Sequence, residues 1–337
     1  MHNKISLEDS IYIAGSYGMA GSAIKRALVK AGYGNSSKGG KILTTTRSEL
    51  DLLNNKLVNE WFKHNKPNIV ILAAAKVGGI HANSLNPATF LLENLKIQTN
   101  VIEASWRNGA KRFLFLGSSC IYPKFAEQPI KEESLLTAHL EPTNEWYAIA
   151  KISGIKLCES LRIQYGFDAI SLMPTNLYGY GDNYHPTNSH VMASFLRKFY
   201  EAKVNKYKKV ICWGTGSPMR EFMHVDDLGK ASLFALEKWD PDSDNSPKTL
   251  ENKPLYYLNV GTGKDISIKD LANKISEIFS YKGKIEWDNS KPDGTPKKLL
   301  DISRLNEMGW EPNIELNEGI KTTIKTIKKD LNNYKLR

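Results

Sequence analysis

Two residues one helical turn apart have the types and spacing of a proton-transfer site. Tyr147 and Lys151 are four residues apart, and the apolar spacing of residues 152–166 is typical of a helix that ends at Gly166. Residues four apart lie on the same helix face, where an ammonium group favours the phenolate and lowers the pKa of the phenol. The pair predicts a tyrosine that exchanges protons near neutral pH. An exposed Tyr and Lys that merely share a helix face would show the same spacing.

A glycine turn near the start of the chain predicts a place for a dinucleotide. The apolar run 11–14 is typical of a buried strand, Gly15-Ser16-Tyr17-Gly18-Met19-Ala20-Gly21 follows it, and residues 22–31 have helical spacing. In this context glycines let the backbone approach a pyrophosphate, which the helix N-terminus then binds. An ordinary glycine-rich turn is the alternative.

The elements that must position these residues alternate along the chain. Strands are predicted over residues 41–46, 68–75, 112–117 and 168–174, and helices over residues 48–65 and 87–108. This order predicts an α/β fold with a Rossmann-type doubly wound parallel sheet. We expect residues 1–178 to form the dinucleotide-binding domain. Residues 179–337 are expected mainly to form a smaller α/β substrate domain, with some segments returning to the first.

Ligands in such sheets bind beyond the carboxyl ends of the strands. The fourth predicted strand delivers Ser118 and Cys120 to that edge, and the second strand ends at Arg47. An acidic residue at the second position selects NAD, whereas a cation accommodates the extra phosphate of NADP. Arg47 therefore indicates NADP(H), although a plain surface arginine would occupy the same position.

Composition excludes several classes of protein. The 337 residues carry a net charge of +10, three scattered cysteines and no long apolar run. No disulfide framework, metal site or membrane span is predicted, and the start lacks the apolar core of a signal peptide, so we expect a cytoplasmic protein. The lysines form no stripe with interleaved aromatic residues. We expect an anionic small molecule as the partner and no nucleic acid.

Together, Ser118, Tyr147, Lys151 and the glycine turn resemble the extended branch of the short-chain dehydrogenase/reductase superfamily. More narrowly, the chain is similar to the GDP-L-fucose synthase family over nearly its whole length, in blocks at residues 73–80, 116–123, 141–151, 174–179, 188–190, 218–227 and 291–296. That resemblance implies an NADPH-dependent enzyme that converts GDP-4-keto-6-deoxy-D-mannose to GDP-L-fucose. Epimerisation at C3 and C5 would precede reduction at C4.

The resemblance also implies roles for individual residues. Tyr147, Lys151, Ser118, Cys120 and His190 would be catalytic, with Cys120 and His190 as the acid/base pair of the epimerisations. The GDP-sugar would be held by Lys198, Trp213, Arg220 and Asp293. Contacts with NADP(H) would come from Gly15, Ser16, Tyr17, Gly18, Met19, Ala20, Gly21, Arg47, Leu116, Gly117, Ser118, Ser119, Lys151, Pro174, Thr175, Asn176, Leu177 and His190.

The sequence departs from the family pattern at two places, and other interpretations of Cys120, His190 and the overall function stay open. Tyr17 stands where bacterial members often carry a basic residue for the 2′-phosphate, and the loop 35–40 is longer than usual. Cys120 as a small core residue and His190 as a helix N-terminal residue are the alternatives to catalysis. Rival functions are another nucleotide-sugar epimerase or dehydratase with bound NAD(P), and a non-catalytic dinucleotide-binding or RNA-associating protein. A homodimer through helices 87–108 and 143–166 is expected by resemblance.

Overall fold

The computed structural model describes residues 3–291 and 293–335. Pro292, part of the predicted block 291–296, lies outside the described residues. The strands are β1 Ser10–Ala14, β2 Lys41–Thr44, β3 Ile69–Leu72, β4 Arg112–Leu116, β5 Ala169–Pro174, β6 Asn176–Tyr178, β7 Lys209–Trp213, β8 Met219–His224, β9 Tyr257–Val260, β10 Asp265–Ser267, β11 Lys284–Asp288 and β12 Lys297–Lys298. The α-helices are α1 Met19–Lys30, α2 Asn55–Asn65, α3 Ile80–Leu85, α4 Pro87–Arg107, α5 Glu145–Tyr165, α6 Val191–Val204, α7 Val225–Lys238, α8 Ile268–Ile278, α9 Ser303–Glu307 and α10 Leu316–Lys335.

A six-stranded parallel sheet forms the centre of the fold, in the order β2-β1-β3-β4-β5-β9. The chain leaves β1 toward β2 and then crosses back to β3. The carboxyl ends of β1 and β3 therefore flank the point where the strand order reverses, which is where ligands bind in doubly wound sheets. The predicted α/β, Rossmann-type parallel sheet is confirmed.

Both faces of this sheet are covered, because successive side chains of a strand point to opposite sides. In β1, Tyr12 and Ala14 face one apolar cluster, whereas Ile11 and Ile13 face the other. All five residues of β1 are buried, as is usual for strands of a parallel sheet. Helices α4 and α5 pack on one side, and α1 packs against α7 on the other. This rigid layer fixes the strand ends that carry the site.

A third apolar cluster is formed largely by residues of α6, α8, α10 and β7. Strand β8 pairs with β6, β10 and β12, and β7 pairs with β11, so small sheets build this part. Two segments from the second half pack with the first half: β9 is the last strand of the large sheet, and α7 covers α1. The division at residue 178 into two functional domains stays a prediction.

Helix α2 begins later than the sequence predicted. The expected start was Ser48, but the helix begins at Asn55 after the cap residue Asn54, whose side chain accepts a hydrogen bond from the Leu57 N–H at 3.2 Å. Thr46 and Glu49 hydrogen bond to each other reciprocally, as in a capping box, and open a single turn only. The expected start at Ser48 is therefore wrong, because local side-chain bonds there close a turn.

No helix within residues 3–291 and 293–335 is long and apolar enough to span a bilayer. Over the same residues, no group of three or more His, Cys, Asp or Glu side chains is placed to hold a metal ion.

Candidate active site

A cleft of about 820 Å³ lies at the carboxyl ends of the large sheet, facing α6 and β8. Most of the residues predicted from the sequence converge there. The cleft is lined by Gly15, Gly18, Met19, Ala20, Arg47, Leu116, Gly117, Ser118, Ser119, Cys120, Tyr147, Lys151, Pro174, Thr175, Asn176, Leu177, His190, Lys198, Trp213, Arg220 and Asp293. Segments that are up to 278 residues apart along the chain thus meet around one cavity.

Three predicted cofactor contacts do not line this cleft. Ser16 and Tyr17 border a separate groove between α1 and residues 180–185, and the Tyr17 side chain is 60% exposed. Gly21 packs against the turn itself, where an added Cβ would come within 2.2 Å of the Gly15 carbonyl oxygen. Tyr17 is therefore outside the lining of the cleft, although the groove that it borders shares residues 181–183 with the cleft.

The glycine turn has the shape that a diphosphate needs. Gly15 has a φ of +89°, and an added Cβ would lie 2.6 Å from the Ala74 nitrogen of the loop after β3. No side chain caps α1, whose N-cap residue is Gly18, so its first backbone N–H groups can donate to an anion. Residues of this turn fit a dinucleotide diphosphate.

The end of β2 offers positive charge at the rim of the same cleft. Arg47 has a 74% exposed side chain and only a long 4.0 Å ion pair with Asp51. Such an exposed pair contributes little, so the guanidinium can turn to a phosphate at small cost. The contact of Arg47 with a 2′-phosphate stays a prediction.

The candidate catalytic residues follow β4 and lie on α5. Ser118 caps the short 3₁₀ turn Ser119–Ile121, and its hydroxyl oxygen accepts a hydrogen bond from the Cys120 N–H at 3.3 Å. Its own hydroxyl hydrogen therefore stays available to another acceptor. Lys151 donates a 2.8 Å hydrogen bond to the Leu116 carbonyl oxygen, and its Nζ lies 5.8 Å from the centre of the Tyr147 ring.

Cationic and aromatic side chains gather at the other end of the cleft. The Lys198 ammonium donates to the Ile211 carbonyl oxygen at 2.8 Å and lies 5.5 Å from the centre of the Trp213 ring. Asp293 accepts 2.8 Å bonds from the backbone N–H and the hydroxyl of Thr215, which ties the loop after β7 to residues 293–295. Arg220 also lines the cleft, and a guanidinium offers paired donors of the kind that bind phosphate groups.

Comparison with known proteins agrees with this geometry. The NAD dependent epimerase/dehydratase family matches residues 11–248. The chain belongs to that family. Over 313 residues it is 52% identical to GDP-L-fucose synthase 1 of Arabidopsis thaliana, covering 93% of this chain and 91% of the relative. It is 49% identical to GDP-L-fucose synthase of Escherichia coli over 93% and 94% of the two chains.

A solved structure gives the same relationship. GDP-mannoheptose C4 reductase from Campylobacter jejuni, determined with NADP bound, superposes with a TM-score of 0.82 at 35% identity, covering 96% of this chain and 99% of the other. The resemblance to GDP-L-fucose synthases that the sequence motifs indicated is confirmed by these relatives.

The pKa of the Tyr147 phenol shifts in the direction opposite to the sequence prediction. Burial disfavours the phenolate of Tyr147 and raises its pKa well above the ordinary value. The charge of Cys120 acts in the same direction. Burial also lowers the pKa of Lys151 to about 8. The expected lowering of the Tyr147 pKa is therefore wrong for the protein by itself, because burial outweighs an ammonium group that is bonded elsewhere.

Cys120 and His190 enter the cleft from two different elements, the turn after β4 and the N-cap position of α6. Cys120 is buried, which raises the pKa of its thiol, while Lys298, the Ser118 hydroxyl and Lys151 oppose that rise. Desolvation within the cleft and then the charge of Lys298 lower the pKa of His190, although the residue as a whole is exposed.

Several charged residues that line the cleft were not predicted from the sequence, Glu141 and Lys298 among them. Glu141 is buried and forms a 2.9 Å ion pair with Lys124. Its place at the start of the 141–151 block was a signal that could have identified it. Lys298 follows Lys297 in a polar stretch with no periodicity, and only the pairing of β12 with β8 brings it to the cleft.

Proposed function

We propose that this protein converts GDP-4-keto-6-deoxy-D-mannose to GDP-L-fucose with NADPH, by epimerisation at C3 and C5 followed by reduction at C4. The observation that carries the proposal is the meeting of two sets of residues in one cleft. Ser118, Tyr147, Cys120 and His190 all line this cleft. We assign the first two to the carbonyl oxygen and the last two to acid/base chemistry. A reductase that did not epimerise would have no use for the second pair.

NADPH, when bound, supplies the hydride that reduces C4. We assign its diphosphate to the glycine turn and the N-terminus of α1, and its 2′-phosphate to Arg47. Lys151, fixed by its bond to the Leu116 carbonyl oxygen, is placed to bind the nicotinamide ribose. These residues would hold the diphosphate, the 2′-phosphate and the nicotinamide ribose of NADPH.

The same oxygen site serves both halves of the reaction. Removal of a proton from C3 or C5 moves the electron pair to the C4 oxygen, and hydrogen bonds to that oxygen stabilise the enolate. Ser118 can donate because its oxygen already accepts from the Cys120 N–H. Tyr147, kept neutral by its raised pKa, donates as well and provides the proton when C4 is reduced.

Inversion at a carbon requires one group that removes the proton and another that returns a proton on the opposite face. Thiols and imidazoles have ordinary pKa values near ~8.5 and ~6.5, within reach of neutral pH. Cys120 and His190 are the two such groups that the cleft offers within residues 3–291 and 293–335. We assign the proton transfers at C3 and C5 to this pair.

Recognition of the GDP portion is assigned to the opposite end. Arg220 and Lys198 offer positive charge for the diphosphate, and the Trp213 ring, 45% exposed, offers a flat apolar face. Asp293 holds the loop after β7 through Thr215. We assign the sugar to the part of the same cleft that Ser118 and Tyr147 line.

The decisive experiment mixes the protein with GDP-4-keto-6-deoxy-D-mannose and NADPH and follows the reduced nicotinamide absorbance at about 340 nm. We expect stoichiometric loss of the band and a product identical to GDP-L-fucose by NMR. A 4-epimerase with tightly bound NAD(P), the rival enzyme, would leave the absorbance unchanged. A protein that binds the cofactor but shows no turnover would support the non-catalytic alternative.

A homodimer and a cytoplasmic location stay predictions. One face of α5 supports the dimer: Trp146, Ile149 and Ile163 follow helical spacing and are all exposed. α5 packs against α4, so both helices would contribute to a shared interface. Light scattering after gel filtration would give twice the 37.9 kDa chain mass if the dimer forms, and the chain mass if it does not.

A further inference from the structure

Strand β12 brings an unpredicted lysine into the cleft. Lys298 is paired in register with Arg220 of β8, and paired residues of neighbouring strands present their side chains on the same face of a sheet. Both residues line the cleft that also contains Cys120 and His190. Lys297, one position earlier, does not line the cleft, is exposed, and forms a 3.4 Å ion pair with Asp265.

The backbone around Lys298 is held firmly. The Leu299 N–H donates to the Gln128 side chain at 2.9 Å, and the Leu300 N–H donates to Glu221 at 3.0 Å. The carbonyl oxygen of Leu299 in turn accepts from the Ile130 N–H at 2.8 Å. These bonds fix the direction in which the Lys298 side chain leaves the strand.

The Lys298 ammonium makes no hydrogen bond or ion pair with any residue in the described ranges 3–291 and 293–335. It is nevertheless partly buried, and burial lowers its pKa. The charges that act on it are Cys120, Arg220, Glu141 and Glu221. A cation placed in a cleft without a partner of its own is available to groups that become charged during a reaction.

We propose that Lys298 is a positioning residue for the proton transfers: its ammonium group favours the thiolate of Cys120 as the base that removes a proton, and it makes the protonated ring of His190 a stronger acid for returning one. This inference rests on the proposed function, because only epimerisation needs this pair. A nearby cation stabilises an anion and disfavours a second cation, so one charge acts on both groups. No sequence motif marks this role.

Lys151 is the alternative cation for this role. Lys298 is the largest of the influences that oppose the burial of the Cys120 thiol, ahead of the Ser118 hydroxyl and Lys151. It is also the one charged side chain of the described residues that lowers the pKa of His190. Lys151 is bonded to a backbone carbonyl group, whereas Lys298 is not. These electrostatic influences, and the freedom of its ammonium group from a backbone bond, favour Lys298 over Lys151 as the residue that acts on the pair.

The test compares Lys298→Met with Lys298→Arg, which keeps the charge, and with Lys297→Met, which removes the same charge from the outer face of the same strand. The rate of iodoacetamide alkylation at Cys120 is followed by peptide mass spectrometry across pH, without substrate. We expect Lys298→Met to slow alkylation near neutral pH by about fivefold to tenfold, through an upward shift of the thiol pKa by up to about one unit. The rates should meet at high pH, where the thiol is ionised in all variants.

Lys298→Arg and Lys297→Met should stay within about twofold of the unmodified protein, because a guanidinium keeps the charge and Lys297 faces away from the cleft. Superposable pH profiles for Lys298→Met and the unmodified protein would overturn the proposal. So would a Lys298→Met enzyme with a raised KM and unchanged deuterium exchange at C3 and C5, which would make Lys298 a binder of the substrate anion. If Lys298→Met does not fold, Lys298→Gln replaces it.

This alkylation profile needs no substrate, so it can be read even if the unmodified protein fails to consume NADPH with the GDP-sugar. Failure of the NADPH assay would count against the proposed function. Identical pH profiles of Cys120 alkylation in Lys298→Met and the unmodified protein would count against the role of Lys298 alone.

Discussion

Lys151 Nζ lies 5.8 Å from the centre of the Tyr147 ring, while its hydrogen bond goes to the Leu116 carbonyl oxygen at 2.8 Å. The lysine is thus anchored to the end of β4, and its charge reaches the phenol only through space. Burial dominates both groups: it raises the pKa of Tyr147 and lowers that of Lys151 to about 8. At neutral pH the arrangement holds a neutral phenol beside an ammonium group, which suits a proton donor.

Replacing Tyr147 by Phe removes that donor without changing the shape of the helix face. We expect the rate of NADPH oxidation with the GDP-sugar to fall by about 10²–10⁴-fold, the usual contribution of general acid catalysis. NADPH binding, followed by the fluorescence of the reduced nicotinamide, should remain within a few-fold. Unchanged turnover in this variant would exclude Tyr147 as the proton donor.

Lys151→Met should stabilise the protein while it abolishes reduction. A folded-state pKa of about 8, against 10.5 for an ordinary lysine, means that burial of the ammonium costs stability at neutral pH. Lowering the pKa by this amount costs about 3 kcal/mol of stability. Lys151→Met recovers that cost but loses the hydrogen bond to the Leu116 carbonyl oxygen, which contributes about 1 kcal/mol. The free energy of unfolding near pH 7 is therefore expected to rise by about 2 kcal/mol.

The pH dependence of this stabilisation would show whether it comes from removal of the buried ammonium charge. Below about pH 8 the folded protein carries the buried charge and the cost is complete; between about pH 8 and 10.5 the folded lysine is neutral, and the cost disappears. The advantage of Lys151→Met should thus vanish near pH 10. Lys156→Met, an exposed lysine on the same helix with a 2.7 Å bond to Glu159, is the control and should change stability little at either pH. A gain that is independent of pH would contradict the explanation.

Cys120→Ser should separate epimerisation from reduction. We expect deuterium incorporation from heavy water at C3 and C5 to fall by about 10²-fold or more, because a serine hydroxyl is a far weaker acid than a thiol. Binding of NADPH should persist, since the Cys120 N–H still donates to the Ser118 hydroxyl. NMR of the recovered GDP-sugar measures the exchange.

Cys158→Ser is the matched control for that experiment. Cys158 lies on α5 in the apolar cluster behind the sheet and does not line the cleft. Its replacement is expected to lower the melting temperature and leave exchange unchanged. Normal exchange in Cys120→Ser would show that the thiol is not the base and would return Cys120 to the role of a small core residue.

The elements with strong periodicity were predictable from sequence, and those held by polar contacts were not. β4 and α4 were each predicted to within one residue of their observed bounds. β8 was not predicted as a strand, because Arg220 and Glu221 interrupt its apolar residues. Glu221 is fully buried since its carboxylate accepts from the backbone N–H groups of Thr262, Gly263 and Leu300. Partners so distant along the chain leave no local pattern.

The candidate site shows the same division. Tyr147, Lys151 and the glycine turn were predictable because their chemistry depends on short, fixed spacings. Cys120, His190 and the GDP-sugar residues came from family resemblance, since they lie on separate elements. The sign of the Tyr147 pKa shift was wrong because sequence spacing shows the neighbouring charge and does not show the burial that outweighs it.

Arg47 is expected to set the preference for NADPH over NADH. Arg47→Ala should weaken NADPH binding by about 10- to 100-fold, the range of one hydrogen-bonded charge contact, and leave NADH binding nearly unchanged because NADH lacks the 2′-phosphate. Tyr17→Ala is the informative comparison: its exposed side chain lines the separate groove, so the affinity for NADPH should not change. Dissociation constants for both cofactors come from fluorescence titration at fixed ionic strength. Loss of NADPH affinity in Tyr17→Ala, with Arg47→Ala unaffected, would transfer the 2′-phosphate contact from the end of β2 to the glycine turn.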